Sequence, residues 1–63
     1  MPVVHISLYE GKSVEAKKKI AAAVTEAFVK SMGISPELVK IMIHELSKEN
    51  FATGGILDSE RKP

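Results

Sequence analysis

VEAKKKIAAAVTEAFVKSM, from Val14 to Met32, is the stretch that decides the fold. Ile20, Ala23, Val24, Ala27, Phe28 and Met32 recur at three- and four-residue spacing and draw one apolar stripe along a helix. Lys18, Thr25, Glu26 and Lys30 lie off that stripe. Ala21, Ala22 and Ala23 add intrinsic helix propensity. Ser13 is placed to cap the N-terminus, and Glu15 puts a carboxylate in the first turn, where the helix dipole favours it. Gly33 supplies a left-handed cap at the other end. At about 1.5 Å per residue, such a helix is roughly 28 Å long.

On either side of it the period changes from 3.6 to two. Pro2 to Tyr9 alternates, with Val4, Ile6 and Leu8 facing one way and Val3, His5, Ser7 and Tyr9 the other. Proline is tolerated at the first position of a strand, where no ladder donor is needed. Glu10-Gly11-Lys12-Ser13 breaks the strand. Ser35-Pro36 is a second helix start, but only Glu37 and Leu38 follow before alternation resumes, so a single turn is expected. Val39 to Leu46 reads as the second strand, with Val39, Ile41 and Ile43 opposed to Lys40, Met42, His44 and Leu46. Ser47 to Asn50 is polar loop, and Phe51 to Leu57 reads as a short hairpin turning at Gly54-Gly55. Asp58 to Pro63 is polar and expected to be mobile. The fold class is α+β: one domain over residues 1–63, a βαβ unit with a C-terminal β-hairpin. A right-handed crossover makes the two strands parallel.

Such a unit is incomplete. One helix covers one face of the sheet, whereas parallel sheets normally have both faces covered. The far face carries Val3, Tyr9, Met42 and Leu46, which is not a set that faces water. A chain of 63 residues buries only about 60% of its unfolded surface and is marginal alone. It has no cysteine, which removes disulfides and thiolate zinc sites as staples. His5 and His44, far apart in the chain, make a poor metal site and read as sheet or interface residues. Self-association is the staple that remains, and 44% apolar residues supply it. The hairpin could lend its strands to a neighbour's edge.

Composition also narrows function. Nine basic and eight acidic residues give a net charge of +1, which is no footprint for nucleic acid. Lys17, Lys18 and Lys19 read as a solvated helix face. Neither a secretory leader nor a run of about 20 apolar residues is present, so a cytoplasmic chain without a membrane span is expected. There is no phosphate loop, dinucleotide fingerprint or paired-histidine metal motif. Ser7 and Ser47 have no evident activating partner.

What stands out is Pro2 behind Met1. Removal of Met1 would leave a free secondary amine at the head of the first strand. Met1-Pro2, the strand ending in Tyr9-Glu10-Gly11-Lys12-Ser13, the long helix, the second strand opening at Val39-Lys40, and Glu45 ahead of Phe51-x-x-Gly54-Gly55 together resemble the 4-oxalocrotonate tautomerase family. The resemblance spans nearly the whole chain. It implies a homohexamer built as a trimer of dimers, with active sites between subunits and no cofactor. Pro2 would be the general base. Lys12 stands where the family commonly has an arginine for one substrate carboxylate. Lys40 stands where a neighbouring subunit's arginine binds the other carboxylate and the enol oxygen. Phe51 matches the aromatic that makes the pocket apolar, and Tyr9 a position whose backbone contributes to it.

Both arginines are lysines here; the one arginine, Arg61, is in the tail. Lysine keeps the sign of the charge but not the planar fork that pairs with a carboxylate through two bonds. The implied substrate is a small anionic keto or enol acid, 2-hydroxymuconate-like, held with looser positioning. A free α-amine titrates near pKa ~8 in reference peptides. An apolar wall and two nearby lysines would disfavour its protonated form and bring it toward working pH. Two other readings use the same residues: a relative with hydratase- or dehalogenase-type activity, and a non-catalytic oligomeric binding module.

Overall fold

The computed structural model describes residues 1–61. Strands β1 (Val3–Tyr9) and β2 (Lys40–Leu46) lie parallel, connected through helix α1 (Val14–Met32). Val3 is opposite Lys40, and the register runs without a break to Tyr9 opposite Leu46. The ladder extends at both ends. Lys40 N–H donates to Pro2 O at 3.0 Å, and Glu10 N–H donates to Leu46 O at 2.8 Å. Each strand starts one residue later than its alternation suggests, for a local reason. Pro2 has no N–H to give, and the N–H of Val39 is spent on Pro36 O, closing a 3₁₀ turn over Pro36–Leu38.

The helix ends are set by their caps. Ser13 Oγ accepts from Ala16 N–H at 3.1 Å. Gly33 adopts φ 64°, and its N–H donates to Val29 O at 2.9 Å. The half-buried face of α1 holds Ile20, Val24 and Phe28, as expected. It is rotated from the expected stripe. Ala23, Ala27 and Met32 are exposed, while Ala21, Thr25 and Val29 are half-buried. On that side of the helix Ala21, Thr25 and Val29 line an apolar groove together with Pro36. Lys17 also departs from its expected solvated position. It is half-buried and bridges α1 to β2 through Glu45, at 3.1 Å.

Beyond β2, Ser47 Oγ accepts from Glu49 N–H and starts a 3₁₀ turn over Lys48–Asn50. The hairpin pairs β3 (Ala52–Thr53) with β4 (Ile56–Leu57), antiparallel and separate from the main sheet. Gly54 and Gly55 carry φ 61° and 83°, the two positive values that a tight primed turn requires. The segment after the hairpin has local structure as far as it is described. Asp58–Glu60 forms a 3₁₀ turn, and Arg61 Nη2 donates to Thr53 O at 3.0 Å, tying the tail to the hairpin. Lys62 and Pro63 lie outside the described residues.

Alternation places Val4, Ile6, Leu8, Ile41 and Ile43 under the helix, all half-buried. No described residue is fully buried. On the other face Val3 and Met42 are 48% and 49% exposed, and on the hairpin side Phe51 and Ile56 are 44% and 48% exposed. The chain exposes 4903 Å², against about 4,000 Å² for a compact monomer of its mass. The excess is close to the ~800 Å² that one partner contributes to a standard interface. The Cα radius of gyration, 15.0 Å, exceeds the ~11 Å of a compact domain this long. Both quantities exceed those of a compact monomer and leave apolar surface uncovered in the single chain. Among the described residues, no helix is long and apolar enough to cross a membrane.

Met42 tests this directly, because a charge there meets whatever covers the sheet. Met42→Glu is expected to shift the sedimentation of the chain from an assembly toward a monomer and to lower its melting temperature. An unchanged assembly would show that this face is not an interface.

Candidate active site

The residues singled out in the sequence fall into two groups at opposite ends of β1. Pro2 is half-buried at the foot of the strand. The parallel register sets the start of β2 beside it, and the Pro2 carbonyl accepts the Lys40 N–H. The Lys40 side chain lies on the open face, in line with Met42 and His44. With Met1 attached, the Pro2 nitrogen is a tertiary amide without basicity. Met1 itself is 77% exposed.

The second group sits at the far end. Tyr9 ends β1, and Gly11, at φ 104°, turns the chain so that exposed Lys12 precedes the helix cap. Phe51 arrives from the 3₁₀ turn after β2, and its carbonyl accepts the Asp58 N–H at 2.8 Å. The rings of Tyr9 and Phe51 meet edge to face, centroids 6.1 Å apart and planes at 89°. Ser7, Leu8, Tyr9, Leu46 and Phe51 line a cleft of about 190 Å³. The structure therefore brings Tyr9 and Phe51 together, with Lys12 at the same end of the strand.

It does not bring these to Pro2. Seven residues of strand rise separate Pro2 from Tyr9, about 23 Å. No side chain of one chain spans that gap. The two ends can face each other only across two copies. One end would then offer an amine and the other an aromatic wall with a cation. That combination can bind a small anion, take a proton from it and stabilise the charge left behind.

Sequence reading missed Leu46, Leu8 and Ser7 as lining residues. The signal for Leu46 was available, since a parallel register starting Val3–Lys40 puts Leu46 beside Tyr9. The histidines, 39 residues apart in the chain, are brought together by the sheet. His5 Nδ1 and His44 Nε2 stand 3.5 Å apart on the open face. Among the described residues, no three metal-ligating side chains of the His, Cys, Asp and Glu types gather.

Residues 2–59 match the family model described as tautomerase enzyme. The chain belongs to the tautomerase family. It is 37% identical over 60 residues to the 2-hydroxymuconate tautomerase of Comamonas testosteroni, covering 95% of each chain. Among solved structures it resembles a 4-oxalocrotonate tautomerase isozyme of Methylibium petroleiphilum, with 38% identity and a TM-score of 0.86 over 92% of this chain and 91% of that one. It also resembles a heterohexameric 4-oxalocrotonate tautomerase of Chloroflexus aurantiacus, with 27% identity and a TM-score of 0.87 over 98% and 100% of the two chains. The fold is that of the 4-oxalocrotonate tautomerases, and the relatives place the chain among isomerases. In this chain the Tyr9–Phe51 contact ties the end of β1 to the segment that follows β2.

A double-mutant cycle checks that contact. Tyr9→Leu and Phe51→Leu, made singly and together, are expected to show about 0.5–1.5 kcal/mol of coupling in unfolding measured at matched chain concentration. Strict additivity would show that the rings are independent.

Proposed function

We propose that this chain is a cofactor-independent tautomerase that moves a proton within an enol or unsaturated keto acid, with the amine of Pro2 as general base. The observation that carries the proposal is the division of the site residues between the two ends of β1, together with the uncovered surfaces. A subunit built this way has Pro2 at one end and an aromatic wall with Lys12 at the other. Symmetric assembly is the economical way to make them one site. We assign that assembly as a homohexamer, a trimer of dimers. One relative in a solved structure is itself a heterohexamer.

In the proposed reaction, Met1 is first removed, which frees the Pro2 secondary amine. A substrate carboxylate is held by the Lys12 ammonium of one copy. The Lys40 ammonium of another holds the second carboxylate or the enol oxygen. Phe51, with Tyr9 packed against its ring, keeps the amine in apolar surroundings, where its neutral form is favoured. The neutral amine accepts the enol proton, and the lysines stabilise the dienolate as charge gathers on oxygen. The ammonium then returns the proton to carbon. Acid and base are one group, and its proton balance closes over each turnover.

The comparison with 2-hydroxymuconate tautomerase makes 2-hydroxymuconate the first substrate to try. Protein confirmed by mass to lack Met1 should speed its ketonisation, followed by ultraviolet absorbance. Pro2→Ala, which leaves a primary amine in a different position, should lower kcat/KM by about 10²–10⁴ without changing assembly. Equal activity in both proteins would remove Pro2 from the mechanism. The lysines set a second expectation. Lys12→Arg with Lys40→Arg restores bidentate pairing, so kcat/KM for this dicarboxylate should rise about tenfold, near 1.4 kcal/mol of transition-state binding. A fall would show that the pocket is built for a substrate with a different spacing of charge.

A further inference from the structure

The open face of the main sheet carries a histidine pair that the proposed reaction does not use. Read along the register, its rungs are Val3 with Lys40, His5 with Met42, Ser7 with His44, and Tyr9 with Leu46. His5 and His44 are diagonal neighbours on consecutive rungs. Their facing nitrogens are 3.5 Å apart, and their ring planes lie 11° from parallel with centroids 5.7 Å apart. At that separation one neutral ring can donate N–H to the bare nitrogen of the other. A single added proton can be shared between them. Two protons place two like charges on facing nitrogens.

The surroundings hold no counter-charge for a doubly charged pair. Val3, Met42 and Leu46 are apolar, and Ser7 is neutral. Among the described residues of β1 and β2, the other ionisable side chains on this face are Tyr9 and Lys40, one rung from the pair on either side. Neither offers a negative charge at neutral pH. Helix α1 packs on the opposite face, where Glu45 is already paired with Lys17 at 3.1 Å. No carboxylate of the chain's own sheet or helix therefore serves the histidines from this face. The same face holds Val3 and Met42, about half exposed in the single chain and in need of cover. A partner on this face would take the pair out of water, where two like charges on facing rings would go unhydrated.

We propose that the His5–His44 pair is a proton-sensitive latch on the self-association face, holding copies of this chain together while the pair carries at most one proton and releasing them when both rings are charged. This rests on the reading that the open face is covered by another copy. The direction follows from linkage. The separated chain binds more protons than the assembled one, so association is strong above the ordinary histidine range and weakens as pH falls through it. Each proton taken up on separation makes the association constant fall about tenfold per pH unit.

The test is sedimentation of the full chain, at several concentrations, from pH about 8 to about 5, the window in which histidine changes charge. The expected result is an assembly at the upper limit and progressive dissociation toward the lower. His5→Gln with His44→Gln should stay assembled throughout. Assembly of the native chain at every pH would overturn the latch and leave the interface standing. A native chain monomeric at every pH would overturn the interface reading as well. Identical pH dependence in the variant would place the proton elsewhere and also overturn the latch. Should the variant fail to fold, nuclear magnetic resonance of the native imidazoles decides. Two separated titration steps spread over both rings support the latch, and two independent rings overturn it.

Discussion

A two-stranded parallel sheet with one helix has a face to spare, and the rest of this molecule follows from that. The pairing of Val3–Tyr9 with Lys40–Leu46 is continuous, and α1 covers only one of its sides. Val4, Ile6, Leu8, Ile41 and Ile43 are sheltered there, though none is fully buried. Val3, Met42 and Tyr9 are left on the other side with no part of their own helix to meet. The energy of the fold is therefore divided between the chain and its neighbours. A subunit with no buried residue among those described, and a surface larger than its mass warrants, is a component of a larger core.

The same geometry divides the chemistry. Parallel strands put their starts together, so Pro2 meets the backbone of Lys40 at one end. Their ends also meet, so Tyr9 and Leu46 gather with Phe51 at the other. Length keeps the groups apart: a seven-residue strand is too long for side chains to bridge. Assembly then serves two needs at once. It covers apolar surface, and it can bring an amine from one copy to the cation and aromatic wall of another. Lysine at both positions proposed to bind anion keeps the charge and gives up bidentate geometry.

Much of this was legible in the sequence. The limits of α1 followed from Ser13 and Gly33, because capping chemistry is local and residue-specific. The Gly54-Gly55 turn followed from the conformational freedom that only glycine supplies at both positions. The strand faces followed from alternation. Less local features escaped. The helix face differs from the expected stripe because a 3.6-residue period defines a broad stripe, and which edge of it meets the sheet is settled only by packing. Lys17 looked solvated because its partner, Glu45, comes from a distant strand. The His5–His44 pair follows from the same register that puts Leu46 beside Tyr9, and it joins residues of two strands that are distant in the chain. The contact of Arg61 with Thr53 escaped too, since it is made only once the hairpin has turned. At the site, Pro2 stood out behind Met1, and Lys12, Lys40, Phe51 and Tyr9 followed from the family resemblance. Their distribution between two ends of a strand required the fold.

The central claim, that each site is built from more than one copy with Pro2 as its base, is tested most directly by complementation. Pro2→Ala and Lys12→Ala chains would be prepared separately, mixed in equal amounts, unfolded and reassembled, and assayed for ketonisation of 2-hydroxymuconate. If Pro2 and Lys12 of one site come from different copies, random assortment gives about a quarter of the sites an intact pair, and activity returns from two inactive parents. If both residues act within one chain, no mixed assembly contains an intact site, and the mixture stays as inactive as its parents.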